Sequence, residues 1–137
     1  MKTLIPAAAL AITAGGAFAA SHAMAPMVEG SDQDVSGGTV TASKIVAPEN
    51  GWLVVHRTGE DMKPGPVVGH APIKMGENMD VTAILTEEVA SGDMLMLMVH
   101  SEAGGMETGI FEYTLGAKED GPIKPDGELV MKVVTAE

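Results

Sequence analysis

Short apolar segments with a period of two, turn signals every roughly 8–15 residues and no convincing amphipathic helix predict an all-β fold. The expected architecture is an immunoglobulin-like antiparallel β-sandwich of about seven strands, behind a signal peptide and a flexible leader. The clearest segment is MLMLMVH, residues 94–100. Its alternation places Met94, Met96, Met98 and His100 on one face and Leu95, Leu97 and Val99 on the other. Both faces are apolar, whereas a strand of a small antiparallel sandwich usually buries one. The pattern of the neighbouring strands favours the Leu side as core. The Met–His side then needs a covering loop or a partner, or lies open as a binding patch.

The elements follow in chain order. Lys2 and the apolar run Leu4–Ala14 precede Ala17-Phe18-Ala19, a small-x-small cleavage pattern, so residues 1–19 read as a signal peptide. Cleavage after Ala23 is the alternative. The run is too short to span a bilayer comfortably, and no later run is long enough. Export to a periplasmic or secreted location follows. Residues 20–37 are small, polar and Gly-rich and read as a flexible leader, with the domain at 38–137. Thr39–Ala47 alternates β-branched residues. Pro48–Gly51 turns, and Trp52–Arg57 forms a second strand. Val67–His70 is a short strand, with Pro72 marking an edge or an end. Met79–Thr86 alternates around Val81, Ala83 and Leu85. After the Met strand, Ser101–Gly109 is a Gly-rich loop. Ile110–Leu115 reads as a strand joining Phe111, Tyr113 and Leu115, and Glu128–Thr135 as the last.

Composition narrows the chemistry. The chain has no cysteine, so thiolate catalysis, Cys-based zinc sites and blue-copper centres are excluded. A formal charge of −11 disfavours nucleic acid and anionic lipid as partners. Enzyme activity finds no support. His100 and Ser101 are adjacent on a strand and point apart, which breaks a nucleophile–base pair. The acidic pairs Glu60-Asp61 and Glu87-Glu88 fall in loops, and no Gly-rich loop opens a helix to bind phosphate.

What remains points to a soft metal. His56, His70 and His100 each fall at or near a strand end, and His56 and His100 could share a rim, with Met98 and Glu102 close by. Neutral imidazoles with a carboxylate suit Zn²⁺ or Cu²⁺, and a thioether adds Cu⁺. The competing role is structural: histidines that bond loop carbonyls and fix strand ends. The 11 methionines divide the same way, as thioether ligands or as filler for a core short of aromatics. Cleavage after Ala19 would also place His22 third from a free amine, a chelate for Cu²⁺ or Ni²⁺, with Met24 and Met27 following. Cleavage after Ala23 would remove it.

Three segments, GWLVVH (51–56), PGPVVGHAPIKMGENMDV (64–81) and LMLMVHSEAG (95–104), together resemble a family of exported bacterial and archaeal immunoglobulin-like β-sandwich domains of unknown function. The resemblance implies the fold and export, and no reaction. Its pattern falls on Gly51, Trp52, His56, Gly69, His70, Met98, His100 and Gly104. Glu102 stands where an Asp is common, and the segment after Gly104 departs from the pattern. The expectation is thus a non-catalytic exported binding module that handles a transition metal, copper foremost. The alternative is a structural or protein-interaction domain that docks an envelope protein partner without metal.

Overall fold

The computed structural model describes residues 24–137. The signal peptide, its cleavage positions and His22 lie outside them. Seven strands form: β1 (Met27–Glu29), β2 (Thr39–Ala47), β3 (Gly51–Thr58), β4 (Val67–Ile73), β5 (Gly76–Leu85), β6 (Met94–Ser101) and β7 (Met131–Thr135). All pair antiparallel in one sheet of order β1-β2-β5-β4-β3-β6-β7. The sheet curls so that β1 also touches β6 and β7, and a short bridge from Gln33 to Ala136 helps close it. The fold is all-β, and the described residues contain no helix that could cross a membrane.

The enclosed core is aliphatic. Val40, Ala42 and Ile45 of β2, Leu53 and Val55 of β3, Val68 of β4, Ala83 of β5, and Leu95, Leu97 and Val99 of β6 meet inside it. The Leu side of the Met strand is therefore the core side, as its neighbours' pattern implies. On β2 the inward residues change from even (Val40, Ala42) to odd (Ile45, Ala47). The change falls where Ser43 and Asp80 drop out of the β2–β5 register. Asp80 takes φ 49° there, a left-handed conformation that aspartate tolerates better than most residues.

Several boundaries differ from the sequence reading. The leader expected at 20–37 contains β1, and Val28 and Val35 are buried. The domain therefore begins well before residue 38, because this short segment fills the curl beside β2 and β7. Pro72 lies inside β4, opposite Trp52. It is tolerated because β4 pairs with β5 only at Gly69 and His70, so the flank beside Pro72 is a local edge. Ile110–Leu115 is not a strand. It belongs to a long strap, residues 102–130, that carries no strand of its own.

That strap is the missing cover. β3 and β6 are neighbours and are buried on both faces. On the outer face Trp52, Val54 and His56 lie beside Met96, Met98 and His100. Asp120 anchors the cover. It is fully buried at φ 45°, and its carboxylate accepts the backbone N–H groups of Ala103 (3.1 Å) and Glu112 (2.9 Å). The returning chain runs along the free edge of β6, where Ser101 N–H donates to the Gly121 carbonyl and Ile123 N–H to that of Val99.

The β3–β6 approach has little slack at Gly51. A Cβ there would collide with the carbonyl oxygen of His100. Gly51→Ala is expected to destabilise the protein by about 1–3 kcal/mol, as overpacking does elsewhere. Urea unfolding of the variant against the parent measures this.

Candidate metal centre

His56 and His100 are not opposite each other in the ladder. His56 faces Met96, His100 faces Trp52, and the Val54–Met98 pair lies between them. The two side chains lean toward one another along the outer face and bring their Nε2 atoms to 3.3 Å. Their rings lie 5.4 Å apart, tilted by 31°. Neither is at a rim. His56 is 0% and His100 1% exposed, because the strap closes over them. Tyr113 of the strap sets its ring edgewise to both, at 4.5 Å from His100 and 5.9 Å from His56.

The opposite ring nitrogens fix the tautomers. Nδ1 of His56 lies 2.7 Å from the Gly65 carbonyl oxygen, and Nδ1 of His100 2.6 Å from that of Asp120. A carbonyl oxygen only accepts, so each Nδ1 carries hydrogen and donates. Each neutral ring then presents a bare lone pair at Nε2, and the two lone pairs face each other. A shared cation between them removes the repulsion. Two bonds of about 2.05 Å spanning this gap would meet at roughly 107°, near the tetrahedral angle.

A proton could serve as that cation, but the surroundings resist it. Burial pushes the His100 pKa down to about 4. The Asp120 carbonyl opposes this shift, and the neighbouring His56 reinforces it. His56 is lowered too, again by burial, against the pull of the Gly65 carbonyl. At neutral pH both rings are therefore neutral and able to ligate.

The other sequence-derived candidates separate. Met98 joins the pair, since the register sets it between the two histidines on their face and it is 1% exposed. Met96 lies beside it, opposite His56. His70 does not join. It is exposed on β4, stacked on Phe111 at 4.2 Å and edge-on to Trp52 at 5.7 Å, with its pKa lowered by partial burial. Glu102 lines the same outer cleft as His70, beyond Trp52. Among the described residues no three His, Asp or Glu side chains are placed to hold one ion.

Asp120 and Tyr113 escaped the sequence reading. Asp120 acts through its backbone carbonyl, which leaves no mark on residue spacing. The Asp120-Gly121-Pro122 turn signal was the only trace of it.

These features define a class: an all-β domain with a buried, pre-oriented histidine pair roofed by an irregular strap. Residues 26–137 match the family described as a domain of unknown function (DUF7282), and the chain belongs to that family. No curated protein and no solved structure gives a significant match.

The lowered histidine pKa values set a pH dependence for the metal-free protein. The unfolded chain takes up its protons near pH 6.5, whereas folded His100 does so near 4. Between these values the unfolded state binds more protons, so stability falls as pH falls. His100 alone should remove about 3 kcal/mol across that window. Urea midpoints from pH 7.5 to 4 should show this slope, and His100→Gln should flatten it.

Proposed function

We propose that this is an exported, non-catalytic binding domain that holds one transition-metal ion, copper foremost, between Nε2 of His56 and Nε2 of His100. The carrying observation is the pair of facing, unprotonated nitrogens 3.3 Å apart, each ring locked by a carbonyl behind it. Such outer hydrogen bonds orient the imidazole and raise its strength as a ligand. The donor set favours Cu⁺. Two imidazoles with Met98 give a soft, low-coordinate site, whereas zinc prefers four ligands drawn from Cys, His and carboxylate. Export is supported by the N-terminal sequence pattern, and the lack of cysteine suits a site built from thioether instead of thiolate.

A second reading keeps the domain metal-free and gives it a protein partner. It draws on the strap, where Met106 is 94% exposed and Ile110 and Leu115 are also exposed. The outer face of β3 and β6 cannot serve that role, because the strap covers it, whereas Met79 and Ile84 of β5 are exposed.

Titration of the metal-free protein with Cu⁺ under a competing chelator, and with Cu²⁺ and Zn²⁺, distinguishes the two readings. One equivalent of Cu⁺ should bind. His56→Gln or His100→Gln should weaken it at least a hundredfold, and Met98→Leu about tenfold, with little loss of stability for the volume-conserving Met98→Leu change. Equal affinity in the parent and the double histidine variant would remove the metal reading.

A further inference from the structure

Beside the histidine pair, and separate from it, a cleft of about 660 Å³ opens at the end of β3. Its size is that of a small-molecule site. Trp52, Phe111, Ile110, Pro72 and Ile73 supply an apolar wall. The indole N–H of Trp52 is buried and meets no acceptor among the described residues. A buried donor without a partner is uncommon and destabilising, and this one belongs to a residue of the cleft wall.

The cleft lining also carries two charges, Lys74 and Glu102. Asn50 joins two segments there: its side-chain oxygen accepts Met75 N–H at 2.9 Å, and its carbonyl accepts Glu102 N–H at 3.4 Å. Lys74 and Glu102, which both line the cleft, are thus brought to either side of Asn50. Neither takes part in the ion pairs formed among the described residues. A cation and an anion that form no ion pair among the described residues thus line the same cleft as the apolar wall.

We propose that this cleft binds a small zwitterion with an apolar, ring-sized body, of the class of a free aromatic amino acid. The carboxylate meets Lys74, the ammonium meets Glu102, and the body lies along Trp52, Phe111 and Ile110. Complementarity to both charges selects this class over a plain hydrophobe or a singly charged ligand. The site is independent of the metal reading, since neither Lys74 nor Glu102 reaches the histidine pair.

Trp52 is the only tryptophan in the chain and forms part of the cleft, so it reports occupancy directly. The full-length protein is titrated with L-phenylalanine, excited selectively at the indole, and the same titration is read by calorimetry. A saturable emission change is expected. Phenylacetate, which lacks the ammonium, and phenethylamine, which lacks the carboxylate, should each bind at least about tenfold more weakly, roughly one charge contact. Lys74→Met should weaken L-phenylalanine and erase its advantage over phenethylamine. Glu102→Gln should do the same relative to phenylacetate. Both substitutions are on exposed or half-buried residues, and far-UV circular dichroism with an unchanged urea midpoint confirms that each variant folds. No saturable response to L-phenylalanine, or equal binding of the singly charged compounds, overturns the proposal.

Discussion

The fold depends on covering the outer face of β3 and β6. These neighbouring strands carry apolar side chains on both sides, and one side already forms the aliphatic core. Left bare, the other would expose Trp52, Val54, Met96 and Met98 to water, a loss of the order of 1.5–3 kcal/mol for each large side chain. A strap without regular structure covers them, and an irregular segment over an apolar surface must satisfy its own backbone. Asp120 meets that need. Its carboxylate takes two backbone N–H groups and its carbonyl takes the His100 ring, so one residue both closes the cover and orients a ligand.

The parts of the structure legible in the sequence were those with a short period. The Met strand, its Leu-side core and the shared face of Met98 and His100 follow from alternation alone. The sequence reading placed His56 and His100 at one rim, but β3 and β6 run antiparallel, so the strand ends that carry them lie at opposite ends of the ladder. Their contact across the Val54–Met98 pair depends on the β3–β6 register and on how far two side chains lean, and neither is encoded locally. Ile110–Leu115 alternates well enough to resemble a strand. Its Phe111 and Tyr113 instead pack on His70 and His100, an aromatic attachment that outweighs local propensity. β1 was hidden for the opposite reason. Three residues between Ala25-Pro26 and Gly30-Ser31 carry no period, and only the closing curl gives them partners.

Burial and pre-orientation act together at the histidine pair. In an open site, water would solvate both Nε2 lone pairs and their separation would carry little meaning. Beneath the strap, water is excluded and each ring is held by a carbonyl of 2.6–2.7 Å contact, so the repulsion between lone pairs is built into the fold. An ion bound there gains by relieving it. A proton does so less well than a soft metal, because the positive imidazolium must itself be held in an apolar shell, whereas a thioether can share the metal's charge. The methionines on this face therefore need not be either packing or ligands. Met98 packs between the two histidines in the metal-free protein, and the proposed role would add its sulfur to the ion.

The two sites share a wall without sharing a ligand. His70, Phe111, Tyr113 and His100 form a continuous row of ring contacts, with Trp52 touching both His70 and Phe111. Phe111 belongs to the outer cleft and Tyr113 to the histidine pair, yet they are two residues apart on one strap. Tyr113 lies over the histidine pair, and Phe111 packs on Trp52 and His70. Packing alone thus joins the wall of the cleft to the roof of the pair. The link runs through side chains in direct contact.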